Sequence, residues 1–281
     1  MARSDLSEGE SGRQLRRTKN KANPWIERLA RLGYTSKGFV YAVIGVLALG
    51  QALGVGGKTT GTGGAVKTLG SQPFGIFLLV VVGVGLLGYM LWKFVQAIAD
   101  TEDKGSDAKG IARRIGYAGS GVIHGGLAFT AAQAIVGSAG GSSSQSWTAS
   151  LMAEPLGAFL VAAVALGVIG VCIYQLHAAY KAKFQDDLKL GEMSAARKRW
   201  TIRIGRTGIT ARALVIGVAG AFLLLAAYQS DPSETRGLGG ALETLSNQPF
   251  GPYLLGATAL GLLAYAIFML LIARHRRVDN T

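Results

Sequence analysis

Lys37, His124 and Arg212 are polar side chains set inside stretches that otherwise read as apolar. Counted from Gly33, Gly116 and Gly205, which open three similar helical segments, they come four, eight and seven residues on. At 1.5 Å per residue, each lies within roughly 6 to 12 Å of its helix start. Lys93, Gln96, Gln175 and His177 approach the same level from segments running the opposite way. Ionisable groups at membrane depth are rare and mark ligand or ion sites. Two readings of the set follow. Either the long side chains snorkel to the near interface and form a rim, or the seven residues make a cytoplasm-facing polar pocket for an anionic lipid headgroup or a solute.

Other chemistries have less behind them. His124 and His177 on neighbouring helices meet the minimum for paired haem ligation, but nothing else in the sequence calls for a cofactor, and none is expected. Residues 52–59 end in Gly57-Lys58-Thr59, like the tail of a phosphate-binding loop. Such a loop joins a strand to a helix, whereas this one follows an apolar helix, and we read it as chance. The chain has no His-Glu-x-x-His, no Gly-x-Ser-x-Gly and no paired carboxylates at membrane depth. No catalytic residue is therefore assigned and no enzymatic activity expected. The single cysteine, Cys172, forms no intrachain disulfide or metal cluster and reads as a small buried hydrophobe. Glu154 is a lone acid at the edge of an apolar segment, suited to a helix N-terminus.

Membrane-spanning helices must position these groups. Of 281 residues 49% are hydrophobic and 16% charged, where a soluble domain carries about 25% charged residues. Glycine, at 41 residues, is in large excess. There is no Gly-X-Y period, so close helix packing in lipid is its natural use. Charge-free runs at 68–92, 155–180 and 244–273 exceed the ~20 residues that cross a bilayer core. Shorter runs lie at 38–57 and 213–230, and the run at 115–153 ends in a Gly/Ser loop. Six spans follow, near 33–54, 74–98, 116–137, 155–178, 209–229 and 250–273. The hydrophilic leader is too long for a cleaved signal peptide, so the first span reads as a retained anchor.

These spans divide the 29 Lys and Arg unequally. Both ends and the second and fourth loops together hold 26, leaving Lys58, Lys67 and Arg236 on the other side. Cytoplasmic loops retain Lys and Arg, so both termini are expected in the cytoplasm. The net charge of +13 then reflects topology and attraction to anionic inner-leaflet lipid, with no nucleic-acid partner. Arg13, Arg16, Arg17, Lys19 and Lys21 read as a juxtamembrane segment lying near headgroups.

The apolar segments are also repeated. Gly-Gly-Ala-Val-Lys-Thr-Leu-Gly-Ser-Gln-Pro-Phe-Gly at 63–75 returns as Gly-Gly-Ala-Leu-Glu-Thr-Leu-Ser-Asn-Gln-Pro-Phe-Gly at 239–251, with a weaker copy around Glu154-Pro155-Leu156-Gly157. Anchored on Pro73, Pro155 and Pro249, small residues fall at Gly85, Gly167 and Gly261, and again at Gly88, Gly170 and Ala264. These pairs share a helix face and are expected to admit a neighbouring helix closely. Aromatic residues recur at Phe77, Phe159 and Tyr253, then at Trp92, Tyr174 and Phe268. The two layers lie ~22 Å apart, close to the spacing of interfacial aromatic belts. Upstream, Arg31-Leu-Gly33, Arg114-Ile-Gly116 and Arg203-Ile-Gly205 align. The prolines are placed at helix starts, where a missing N–H is harmless. Residues 65–69, 147–151 and 241–245 read as short amphipathic helices on the outer surface.

The expected fold is all-α: a polytopic membrane protein of six transmembrane helices in three tandem hairpins, pseudo-threefold about the membrane normal. Its parts are a basic tail (1–27), hairpins at 28–104, 105–190 and 191–275, and a C-terminal tail (276–281). Three hairpins, each opening on Arg-x-Gly and carrying a Gln-Pro-Phe-Gly-like turn, resemble the bacterial membrane family catalogued as domain of unknown function 1206, over residues 28–275. The middle copy departs at Glu154-Pro155-Leu156, and the third has Arg206 where the others have Tyr34 and Tyr117. The resemblance implies a bacterial inner-membrane protein and supplies no activity. The residues themselves favour a structural or interaction role, a scaffold in contact with membrane lipids and a membrane-protein partner. A small-solute or ion carrier and an anionic-lipid-binding protein are the alternatives.

Overall fold

The computed structural model describes residues 24–99, 107–137, 144–185, 188, 191 and 193–275. Most of the expected basic tail, the C-terminal tail and residues 138–143 of the Gly/Ser loop lie outside the described residues. The fold is all-α. Six long helices, α1 (Pro24–Ala52), α3 (Gly75–Ala99), α4 (Ala108–Ile135), α6 (Gly157–Tyr180), α7 (Ala195–Gln229) and α9 (Gly251–His275), alternate with three short ones. The short helices are α2 (Thr62–Gly70), α5 (Ser144–Met152) and α8 (Leu238–Ser246), each following the first long helix of a hairpin. They start eleven residues before Pro73, Pro155 and Pro249 and stop three before them. One register thus runs through all three copies.

Local sequence accounts for the helix boundaries. The Asp107 carboxylate accepts from the Gly110 N–H at 2.9 Å, and the Ser194 hydroxyl from the Arg197 N–H at 3.4 Å, capping α4 and α7. Such caps satisfy amides that have no intrahelical partner. Arg114, in the first turns of α4, donates to the Ala97 and Ile98 carbonyls at 2.7 and 3.0 Å, closing the C-terminal end of α3.

The proline turn differs from expectation. The helices begin two residues after each proline, at Gly75, Gly157 and Gly251. Between proline and glycine, Phe74, Leu156 and Phe250 all sit at φ 62, a left-handed conformation rare outside glycine. A Cβ on Gly75 would run into the Gly70 carbonyl, one on Gly157 into the Leu151 carbonyl, and one on Gly251 into the Ser246 carbonyl. Glycine is therefore required at the same place three times.

Five helical segments are long and apolar enough to cross a membrane: Arg31–Ala52, Gly75–Ile98, Gly157–Tyr180, Ala195–Gln229 and Gly251–His275. Of the six expected spans, α4 does not reach that hydropathy, because its 28 residues include Ser120, His124, Gln133 and several glycines. It nevertheless packs along α3.

Side by side, the long helices run α4, α3, α1, α9, α7, α6. Helices α1 and α3 pack as a hairpin, as do α7 and α9, while α4 and α6, the long helices of the middle hairpin, are not packed together. The most apolar stretch of α1 is 56% buried against 22% for α6, so α1 is central and α6 peripheral. The core is built on Ile44, Leu79, Leu86, Leu255, Leu262 and Phe268.

Glycine contacts reset one expected register. Gly33 lies against the backbone of Tyr89, and a Cβ there would sit 2.8 Å from its Cα. The residue doing the same to Tyr265 is Gly208, at 2.5 Å, and Tyr89 and Tyr265 are both sixteen residues past their prolines. Gly208, three residues beyond Gly205, is thus the counterpart of Gly33. Gly205 instead makes room for the Phe184 and Phe268 rings, whose centroids are 4.9 Å apart. Among the expected packing residues, Gly85 meets Ser36 and Gly261 meets Ala211, each from the first long helix of its own hairpin. Gly88 is buried and Ala264 half-buried. Gly167 and Gly170 are exposed, and a Cβ on either would meet nothing. That is a correction: the middle hairpin's glycine face receives no helix, because α4 lies along α3.

Candidate functional site

With Gly208 as counterpart of Gly33, Lys37 and Arg212 occupy the same repeat position, four residues on. Side chains at equivalent positions of related hairpins converge on a shared interior, and these two do. Lys37 is 7% exposed and Arg212 half-buried. Lys93 joins them from α3 at 8% exposure. The Arg212 and Lys93 charges both act on Lys37, and all three act on His124.

Tyrosines surround the three cations. The Lys37 ammonium donates to the Tyr89 hydroxyl at 3.4 Å and lies 5.0 Å from that ring's centroid and 5.8 Å from that of Tyr265. Lys93 stands 4.6 Å over Tyr117 and 5.4 Å over Tyr89, and its ammonium donates to Gln96 Oε1 at 2.7 Å. Arg212 donates from Nε to the Tyr41 hydroxyl at 2.8 Å and from Nη1 to Gln175 Oε1 at 2.6 Å, with Tyr41 and Tyr265 rings 5.5 and 5.2 Å from its guanidinium carbon. Ring contacts lock this collar: Tyr41 on Tyr265 at 4.8 Å, Tyr34 on Tyr89 at 5.2 Å, and His124 on Tyr89 at 4.4 Å. His124 Nδ1 is 2.7 Å from the Ser120 carbonyl. The N–H on that nitrogen is donated there, and Nε2 is left as the other ring nitrogen.

Six of the seven expected pocket residues thus come together. The seventh, His177, is exposed on α6. His124 is buried against Tyr89 while His177 faces outward, so the two imidazoles are not presented as a ligand pair. Tyr41, Tyr89 and Tyr265 were absent from the sequence reading, and Tyr34 and Tyr117 entered it only as repeat counterparts of Arg206, not as site residues. Their signal was there: Tyr34, Lys37 and Tyr41 are spaced three and four apart on one face of α1, and Tyr89 and Tyr265 hold one repeat position.

Magnitudes show what this collar can and cannot do. Each cation–π contact contributes about 0.5 to 2 kcal/mol, whereas burying an ion costs several kcal/mol. Among the described residues no carboxylate forms an ion pair with Lys37 or Arg212. Of the described Asp and Glu residues, Glu243 lies within the short helix α8 and the others lie at helix ends or in connections. The centre orients and partly solvates its cations, and among the described residues no carboxylate pairs with Lys37 or Arg212.

Fold and site together define a class: an all-α, multi-pass membrane protein of tandem hairpin repeats with a cationic interior. The chain belongs to the family described as Domain of Unknown Function (DUF1206), which it matches three times, over residues 32–100, 115–182 and 207–276. The matches open one residue before Gly33, Gly116 and Gly208, the register that the Tyr89 and Tyr265 contacts give for the first and third copies. The chain is similar to the uncharacterized protein YxxB of Bacillus subtilis (strain 168), 36% identical over 260 residues, which cover 92% of this chain and 94% of that one. No solved structure matches.

Proposed function

We propose that the chain is a six-span inner-membrane protein that binds an anion at the centre formed by Lys37, Lys93 and Arg212. The observation that carries this reading is the convergence of three cations inside the bundle, with no carboxylate among the described residues paired with Lys37 or Arg212. A scaffold alone has no need of buried charge such as that of Lys37 and Arg212, which lowers stability when no carboxylate pairs with it. The scaffold role is therefore the weaker reading, and the carrier reading lacks a feature that marks a path across the membrane.

Six spans follow from treating α4, at 28 residues, as the counterpart of α1 and α7. Two crossings per repeat bring every copy back to one side, about a pseudo-threefold axis along the membrane normal. The bias of Lys and Arg places that side, with both chain ends, in the cytoplasm. Lys93 lies six residues before the end of α3, so the centre sits ~9 Å inside the cytoplasmic end of that helix. Lipids are the natural neighbours of such a bundle.

The test uses purified protein in nanodiscs of neutral phosphatidylcholine. A ligand that binds only the folded state raises the unfolding midpoint with concentration. Inorganic phosphate should do so relative to chloride at equal ionic strength, and the Lys37→Met/Arg212→Met double variant should lose the response. Equal responses in the two proteins would remove the centre as an anion site.

A further inference from the structure

We infer that the anion is the phosphate headgroup of a membrane lipid, which enters the cationic centre sideways through the opening between α4 and α6. The inference rests on the anion-binding reading and adds the source of the anion and its route.

The three repeats contribute unequally at the level of the centre. Repeat one supplies Lys37 and Lys93, and repeat three supplies Arg212. At the corresponding positions the middle repeat has Ser120 and Gln175, and it adds His124. At that level the middle hairpin thus contributes no Lys or Arg, only Ser120, Gln175 and His124. It is also the hairpin whose long helices are not packed together. The neutral side of the centre and the open side of the bundle coincide.

Both helices flanking the opening reach the centre. Gln175 of α6 accepts from Arg212 at 2.6 Å, and His124 of α4 lies 4.4 Å from Tyr89. Val171, Gly167, Val164 and Leu160 precede Gln175 by 4, 8, 11 and 15 residues, a spacing that keeps them on its helix face. All four are exposed. On α4, Gly116 and Gly119 are exposed, and a Cβ on either would meet nothing. The equivalents of Gly167, Gly85 and Gly261, are covered by α1 and α7 respectively. An apolar wall running ~22 Å from Gln175 to Leu160 therefore leads away from a cationic centre. A free inorganic anion has no use for that wall. A phospholipid matches both parts, with its phosphate among Lys37, Lys93 and Arg212 and an acyl chain along Val171, Gly167 and Val164.

Gly167→Trp fills this face in open space. Gly170→Trp puts the same bulk on the same helix, 140° round from Gln175 by the helical period of ~100° per residue, and serves as control. Each protein is reconstituted in nanodiscs containing either phosphatidic acid in phosphatidylcholine or phosphatidylcholine alone, and co-purified lipid is counted by native mass spectrometry after mild detergent exchange. Wild-type protein and Gly170→Trp should retain phosphatidic acid over phosphatidylcholine. Gly167→Trp should lose about tenfold of that retention, a change of one decade in Kd, while keeping the wild-type response to inorganic phosphate. Equal retention by Gly167→Trp and wild type overturns the lateral route, as does an equal loss in both Trp variants. A wild-type protein that answers to inorganic phosphate but retains no phosphatidic acid overturns the lipid assignment alone. One that answers to neither overturns the anion-binding reading as well.

Discussion

Arg212 of α7 donates from Nε to the hydroxyl of Tyr41 in α1 at 2.8 Å, across 171 residues of sequence. The bond joins the first and third repeats where the bundle is most enclosed. It also fixes the Tyr41 ring, which packs edge-on against Tyr265. The guanidinium is thereby held facing the centre with its Nη1 on Gln175.

Tyr41→Phe should leave the ring packing intact and take away one acceptor from a charged donor. Hydrogen bonds to charged groups contribute about 1.5 to 3 kcal/mol, so a loss of that size is expected from the unfolding midpoint in mixed micelles. An unaltered midpoint would show that the bond carries no stability.

Lys37→Met should have the opposite sign. A similar-sized apolar side chain relieves the repulsion from Arg212 and Lys93, and replacing buried charge by well-packed apolar groups stabilises by roughly 1 to 4 kcal/mol in documented cases. The gain is expected in chloride buffer with neutral lipid, together with loss of the phosphate response. Destabilisation there would mean the ammonium has a counter-ion inside the protein.

The glycines of the helix crossings should separate by contact. Gly33→Ala and Gly208→Ala push a methyl into the Tyr89 and Tyr265 backbones, and such overpacking costs about 1 to 3 kcal/mol. Gly167→Ala meets nothing and should change stability by no more than about 0.5 kcal/mol. If all three variants unfold alike, the Gly208 register is wrong.

Orientation is open to a labelling experiment. In a Cys172→Ser background, single cysteines at Lys58 and Lys198, both exposed, are treated with a membrane-impermeant maleimide on intact cells. Lys58→Cys should react and Lys198→Cys should react only after lysis. The reverse pattern would invert the topology and put the cationic centre at the outer face.

Five of the long apolar helices, the three repeats and the short helix inside each repeat were legible in the sequence. Each depends on a local or one-dimensional quantity: the hydrophobic length of a segment, the charge of the loops beside it, or the match around Pro73 and Pro249. The turn geometry was half legible. Gly75, Gly157 and Gly251 stand out as repeated glycines, but the left-handed residue before each comes from the way the short helix meets the long one. The register of the third repeat was misread through Gly205. Three residues along a helix is nearly one turn, so Gly205 and Gly208 share much of a face, and Arg206-Thr-Gly208 repeats the same Arg-x-Gly pattern as Arg203-Ile-Gly205.

Tertiary structure alone decided which polar groups meet. Lys37, Lys93, His124 and Arg212 each lie in an apolar helix where snorkelling and convergence have the same sequence signature. The difference is the rotation of each helix about its axis and the order of neighbours, set by contacts between segments far apart in the chain. Those contacts turned Lys37 and Arg212 onto one tyrosine collar and left His177 outside. They paired α4 with α3, leaving Gly167 bare although its repeat positions Gly85 and Gly261 are covered. Hydrophobic patterning specifies partition into lipid, which each segment satisfies by itself, whereas a site requires segments to agree on one arrangement.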